Sequence, residues 1–299
     1  KGVQALYFKR NHMVSVKKQV FYLQPYGKIA TNTYFNSFPI GAWKKYTHLE
    51  TLYLSFFCNG KIELSFYHCS DMHKAKVAEQ IVISDGKEQC KVKIPKLQEQ
   101  GLLYFEIKAL GGTGTTGDRC TELWNLAYET WDLPKRDARI AVGICTYGRE
   151  KELAETLGLI EKEILNNENH TLRGKMEIFV SDNASSGKVL SINPAIHFFQ
   201  NMNAGGSGGF ARTMMEAVYP HPDRFTHLIL MDDDISVEPE IFLRTYALLC
   251  YLKETYLSYD IGASFLNKEN GTMQMEYGGY WNGMKLLFGG KGRELSKLR

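Results

Sequence analysis

Residues 226–239 read THLILMDDDISVEP: an apolar run, Thr226 to Met231, that ends on three adjacent carboxylates, Asp232, Asp233 and Asp234. A short apolar run bounded by polar residues reads as a buried strand. Adjacent carboxylates repel one another, and a strand end tolerates them best where a divalent cation or several donors compensate the charge. Hard cations such as Mn²⁺ and Mg²⁺ take carboxylate oxygens together with substrate phosphates, so Asp232-x-Asp234 reads as a metal–diphosphate site. The competing reading is a solvated loop whose aspartates cap the turn that follows.

The segments before this strand alternate in the same way. Arg139 to Cys145, Met176 to Val180 and Ile196 to Phe199 read as buried strands. Lys151 to Asn166, Gly209 to Val218 and Pro239 to Leu252 carry helical spacing. Strand alternating with helix predicts an α/β region with a doubly wound parallel sheet, whose ligands sit at the carboxyl ends of the strands. There the first strand leads into Thr146-Tyr-Gly-Arg149 and the second into Ser181-Asp182-Asn183. An arginine at a helix start opposes the helix dipole, which suggests a use for Arg149 other than helix stability. Asp182 suits either a base or ribose contact or the capping of its own turn.

Residues 203–212, NAGGSGGFAR, join the third strand to a helix. Gly206 to Ala211 fits GxGxxA, but that fingerprint normally opens a βαβ unit, and its single acid is here a triplet. Gly205 to Gly209 fits GxSxG, but the last histidine, His227, stands directly before an inner strand, where a hydrolase histidine is not expected. What survives is a helix N-terminus able to meet an anion, with Arg212 expected on its first turn.

The first 135 residues differ. Between Val16 and Leu110, aromatic and β-branched runs are separated by Asn59-Gly60, Asp85-Gly86 and Gln100-Gly101, which predicts an all-β sandwich or jelly roll. Asn59-Gly60 predicts a two-residue hairpin turn between Leu52–Phe57 and Ile62–Tyr67. Gly111 to Gly117 lacks the Lys-Ser/Thr of a phosphate loop and reads as an inter-strand loop. Trp43, Tyr46, Phe56, Phe57 and Tyr67 are expected in the core rather than in a sugar platform. Pro134 with its neighbouring charges marks a boundary, giving an expected β-sandwich over 1–135 and the α/β domain over 136–299.

Composition removes several functions. Of 299 residues, 36 are Lys or Arg and 33 Asp or Glu, and a net charge of +3 leaves no footprint for nucleic acid. No apolar run approaches the roughly 20 residues of a membrane span. No signal-peptide pattern stands at Lys1, so a cytoplasmic chain with reduced cysteines is expected. The histidines show no HxH or HExxH spacing.

Together CTYGRE (145–150), SDNAS (181–185), NMNAGGSGGFAR (201–212) and LILMDDDISVEP (228–239) resemble the GT-A glycosyltransferases of family 2. Within that family they resemble the polymerising galactofuranosyltransferases of the mycobacterial cell wall and their bacterial relatives. The resemblance implies an N-terminal β-sandwich and a GT-A domain that inverts at the anomeric carbon, using a UDP-sugar with Mn²⁺ or Mg²⁺. It implies that Asp232 and Asp234 hold the metal and that Asp233 faces ribose or donor sugar. It places Thr146 and Arg149 at the uridine end and Asp182 near uracil or ribose. Asn203, Gly205 and Gly206 would border nucleotide and sugar, with Arg212 beyond them. The implied acceptor is a glycan, free or lipid-linked; a lipid-linked one would bring the enzyme to the inner face of the plasma membrane without a span. The general base is expected beyond Arg299, with Glu276 donor-side or structural, so the 299 residues are expected to bind a donor without turning it over. The alternatives are another UDP- or dTDP-sugar transferase (glucosyl, galactosyl or rhamnosyl) and a catalytically inactive glycan-binding protein.

Overall fold

The computed structural model describes residues 7–33, 35–70, 73–95, 97–110 and 120–257, and beyond these only the backbone of short strand segments between 264 and 294. Gly111–Gly117, Glu276 and the side chains of Tyr280 and Trp281 lie outside the described residues. The chain divides into two compact units, Lys1–Leu133 with Lys253–Arg299, and Pro134–Leu252.

The first unit is built from β1 (Lys9–Arg10), β2 (Val14–Lys17), β3 (Val20–Leu23), β4 (Lys28–Ala30), α1 (Ile40–Tyr46), β5 (Tyr53–Ser70), β6 (His73–Asp85), β7 (Cys90–Lys93), β8 (Leu102–Ala109) and β9 (Thr121–Glu129). They form a nine-stranded sheet in the order β1-β4-β8-β5-β9-β3-β2, with β6 and β7 also on β5, and every pairing is antiparallel. β5 is the organiser. Its first part, from Tyr53, lies between β7 and β9, and its second part, to Ser70, between β6 and β8. Leu54, Phe56 and Cys58, then Ile62, Leu64 and Phe66, alternate into one core with Leu23, Ile29, Ile107 and Leu123. Burial, and then the neighbouring Cys90 thiol, pushes the Cys58 thiol up to about 12, so it stays protonated in that core.

The predicted Asn59-Gly60 hairpin does not form. β5 runs through both residues, and Gly60 takes φ +138° where the strand changes partners from β9 to β8. A Cβ there would stand 2.6 Å from Thr121 Oγ1, so the glycine serves a bend and a close approach, not a turn.

Asp132 closes the unit's last strand onto Glu50-Thr51, accepting the Glu50 N–H at 2.6 Å, the Thr51 N–H at 2.8 Å and the Thr51 hydroxyl at 2.7 Å. Partial burial raises its carboxyl, but the Thr51 and Glu50 N–H groups and the Thr51 and Thr130 hydroxyls outweigh this and hold it below the usual carboxylate range. A depressed folded-state pKa contributes stability above the unfolded value, lost as pH falls through the folded one. Urea midpoints should therefore separate the native chain from Asp132→Asn at pH 7, and the gap should close as pH drops below about 4. A gap of constant size from pH 7 to 3 would remove the ionised carboxylate from this role.

The second unit is built from β10 (Ile140–Thr146), α2 (Glu150–Ile160), β11 (Met176–Asp182), β12 (Ile196–Gln200), α3 (Gly205–Val218), β13 (His227–Asp232) and α4 (Glu240–Tyr251). The strands pair in parallel in the order β12-β11-β10-β13. Ile140, Val142 and Ile144 of β10 and Ile178 and Val180 of β11 are fully buried. The near-continuous apolar reading of these strands follows from cover on both faces of the sheet.

The expected class, α/β with a GT-A domain, is corrected. Among the described residues 39% are strand and 22% helix, the largest sheet is antiparallel, and a GT-A domain is not shown. The physical reason lies in the first unit. Local turn signals divide β5 and its neighbours into short runs, whereas long-range pairing extends them to 18 and 13 residues. No helix among the described residues is long and apolar enough to cross a membrane.

Candidate functional site

Parallel register sets four strand ends side by side. Thr146 pairs with Asp182, Cys145 with Asp232, and Asp182 with Gln200. The chain leaves the sheet there through four loops, which hold Arg149, Asn183, Asn203 and Asp234. A shallow, open cleft lies between the first two, lined by Thr146, Asp182, Ser186, Lys188 and Phe198 among others. Thr146 Oγ1 is buried and has no hydrogen-bond partner among the described residues. A buried hydroxyl without a partner is costly, and a ligand that hydrogen-bonds it recovers that cost.

The three aspartates differ. Asp233 is buried, while Asp232 and Asp234 are exposed. The Arg149 guanidinium hydrogen-bonds Asp234 and stands 3.9 Å from Asp233. That hydrogen bond, and then the charges of Asp234 and Asp233, raise the Arg149 pKa above its ordinary value. One cation of the chain itself therefore already compensates part of the cluster. Among the described residues no three His, Cys, Asp or Glu side chains converge closely enough to enclose a metal. The donor set, two exposed carboxylates on alternate residues, fits a hard divalent cation that takes its remaining ligands from water and a diphosphate.

Asp182 is committed to its own loop. Its carboxylate accepts from the Ala184 N–H at 3.0 Å, the Ser186 N–H at 2.7 Å and the Ser186 hydroxyl at 2.8 Å. It thus caps its own turn, the second of the two uses foreseen for it, while lining the cleft.

The Gly-rich segment departs from its sequence reading. α3 begins at Gly205, a full turn earlier than helix propensity places it, because side chains fix the glycines. Asn203 Oδ1 accepts from the Gly205 N–H at 3.1 Å, and Asn183 Nδ2 donates to the Gly205 carbonyl at 3.0 Å. Arg212 is consequently not on the first turn. It pairs with Glu216 at 2.7 Å and lies over the Phe199 ring at 5.6 Å. Gly205 and Gly206 hold the helix N-terminus, with nothing within 4 Å of where a Cβ would stand.

Asn183 is the residue that sequence reasoning passed over. It is buried and joins three loops, donating to the Gly205 carbonyl and to Cys145 Sγ at 3.3 Å and accepting from Asn201 Nδ2 at 2.8 Å. Its only sequence signal is an amide directly after a strand-end aspartate. Replacing it with Ala strips a partner from Asn201 and frees Gly205, at an expected cost of about 1–3 kcal/mol. Urea denaturation and amide exchange at Gly205–Gly208 measure this. Unchanged protection at those amides would show that the glycines are held without it.

Comparison with known proteins adds a second line. Residues 2–116 match the family profile described as galactofuranosyltransferase 2 N-terminal. Over 263 residues, 81% of the chain, it is 26% identical to galactofuranosyltransferase GlfT2 of Mycolicibacterium smegmatis (strain ATCC 700084 / mc(2)155). Over 261 residues, 80% of the chain, it is 23% identical to the protein of the same name from Mycobacterium tuberculosis (strain ATCC 25618 / H37Rv). The chain spans 37% of the length of each. The resemblance read from the motifs is thus shown. Among solved structures, a family 29 carbohydrate-binding module aligns with 40% of the chain and 76% of its own length, at 12% identity and a TM-score of 0.26. A mutant of that type complexed with mannohexaose aligns at 13% identity and a TM-score of 0.25, covering 40% of this chain and 79% of its own. Scores so low carry no fold assignment.

Proposed function

We propose that the chain is the donor-binding part of a galactofuranosyltransferase, which takes galactofuranose from UDP-galactofuranose and passes it, with inversion, to a glycan acceptor. The observation that carries this reading is the convergence of Thr146, Asp182 and the Asp232–Asp234 triplet on one edge of a parallel sheet, with Arg149 between them. The cleft bordered by Thr146 and Asp182 takes the uridine, and the unsatisfied Thr146 hydroxyl gives it a hydrogen bond. The α3 N-terminus, with Gly205 and Gly206, offers N–H groups to the anionic side of the donor. Asp232 and Asp234 would hold Mn²⁺ or Mg²⁺, which would neutralise charge on the departing UDP as a Lewis acid, and Arg149, paired with Asp234 in this structure, would then be free to face the diphosphate. Asp233, buried beside the pair, faces ribose or donor sugar.

Calorimetry of UDP with and without Mn²⁺ tests the site. Mn²⁺ is expected to tighten UDP by about tenfold or more, and equal affinities would remove the metal–diphosphate assignment. Competition among UDP-galactofuranose, UDP-galactopyranose, UDP-glucose and dTDP-rhamnose tests the sugar. Preferential binding of any but the first would replace galactofuranose as the donor.

A further inference from the structure

The first unit carries a second cleft, remote in sequence from every residue discussed above. On β5 the alternation that sends Ile62, Leu64 and Phe66 into the core leaves Glu63, Ser65 and Tyr67 on the opposite face. On β8 the same alternation leaves Tyr104, Glu106 and Lys108 opposite Leu103, Phe105 and Ile107. Register then lays them in rows across the sheet. Lys28 lies beside Lys108 and Lys108 beside Glu63, Glu106 beside Ser65, and Tyr104 beside Tyr67. Over these rows opens a cleft of about 190 Å³ lined by Lys28, Glu63, Ser65, Tyr67, Glu106 and Lys108.

Two features separate this cleft from an ordinary solvated sheet face. Part of it is fixed in advance: Glu106 is held by Lys28 at 2.7 Å and lies 3.7 Å from Lys74, and the Tyr67 and Tyr104 rings stack at 5.2 Å beneath Lys74. Another part is uncommitted. Glu63 and Lys108 face each other across adjacent strands, a pairing that ordinarily closes into an ion pair, yet among the described residues neither forms one. A carboxylate and an ammonium thus stand side by side over the cleft with their hydrogen-bonding capacity in hand. The lining holds two lysines and two glutamates, so its net charge is zero. A polyanion would meet Glu63 and Glu106, and a polycation Lys28 and Lys108. A neutral molecule dense in hydroxyls, each both donor and acceptor, suits Glu63 and Lys108 together, while the Ser65 hydroxyl already donates to Glu79 at 3.0 Å.

We propose that this face is a binding site for a neutral glycan, recognised through its hydroxyls by Glu63 and Lys108, with Lys28, Glu106 and Tyr67 as the fixed frame. The Tyr67 face is covered by Lys74 at 4.1 Å, so recognition runs through hydrogen bonds at the edges of the sugar rings, not through stacking. The site stands on these residues alone and does not depend on what the second unit binds.

The test is calorimetry on the 299-residue chain with three neutral probes, a galactofuranosyl, a galactopyranosyl and a glucopyranosyl oligosaccharide, and an oligogalacturonate as the anionic control. At least one neutral probe is expected to bind and the oligogalacturonate to bind more weakly. Glu63→Gln and Lys108→Gln should each weaken that binding by about tenfold, and Glu63→Gln should leave the melting temperature unchanged, whereas Lys108→Gln also removes the ammonium that lies over the Tyr26 ring at 5.8 Å. Asp232→Ala with Asp234→Ala should leave it intact, which separates this site from the donor site. The proposal is overturned if no neutral probe binds at millimolar concentration, if the oligogalacturonate binds best, or if both glutamine variants bind as the native chain does. Backbone NMR shifts on titration give an independent readout: movement at residues 63–67 and 104–108 supports the site, and movement confined elsewhere removes it.

Discussion

Replacing Asp232 and Asp234 together with alanine is expected to abolish the Mn²⁺ dependence of UDP binding and to weaken UDP in the presence of Mn²⁺ by at least about tenfold, on the order of 1.4 kcal/mol or more. The direction without metal is the sharper half of the prediction. Arg149 is held on Asp234 in the native chain, so its guanidinium is engaged when no cation competes for that carboxylate. Removing Asp234 releases a permanent positive charge close to where a diphosphate would lie. Metal-free UDP should therefore bind the double variant no more weakly than it binds the native chain. Arg149→Ala should do the reverse, weakening UDP with or without metal. Metal-dependent UDP binding retained by the double variant would move the metal away from these two residues.

Gly209→Ala is expected to cost about 1–3 kcal/mol, because extra carbon is being forced into a closed contact. A Cβ on Gly209 would stand 2.1 Å from Cys145 Sγ, 2.9 Å from Cys145 Cβ and 3.2 Å from Asn183 Nδ2. α3 would have to lift away from β10, and the lift would carry Gly205 and Gly206 with it. Thermal unfolding should show a midpoint lowered by roughly 5–15 °C. Cys145→Ala removes the nearest of the three atoms and should restore part of the loss. The resulting coupling, on the order of 0.5–3 kcal/mol, is read from the double-mutant cycle. A Gly209→Ala chain as stable as the native one would mean that α3 does not sit this close to the strand.

The limits of the sequence reading follow from what kind of interaction decides each element. β10 to β13 were legible because each is a run of buried apolar residues bounded by polar ones, a signal contained within the strand. The strand-end positions of Thr146, Asp182 and Asp232 follow directly from those runs. The class of the whole chain was not legible. Asn59-Gly60 is a strong local turn signal, but β8 and β9 bind β5 on either side of Gly60, and partners 40 to 70 residues away outweigh two residues of turn preference. The start of α3 was misplaced for a related reason. Glycine propensity argues against a helix through Gly205–Gly208, while Asn183, brought in from another loop, and Asn203, two residues before Gly205, supply the contacts that propensity omits. Tyr67, expected among the core aromatics, instead stands on the opposite face from Phe66, stacked on Tyr104.

β5 has one more consequence, for the route by which the first unit folds. A single strand of 18 residues pairs with β6, β7, β8 and β9 alike, and Tyr53 meets Glu129 across 76 positions of chain. Loops of that length must close before their pairings return any free energy, and topologies dominated by such contacts fold in milliseconds to seconds. The two halves cannot mature separately, since each lacks its central strand until β5 is straight through Gly60. Refolding of this unit should therefore be slow and single-phased, with amides on both halves of β5 acquiring exchange protection together.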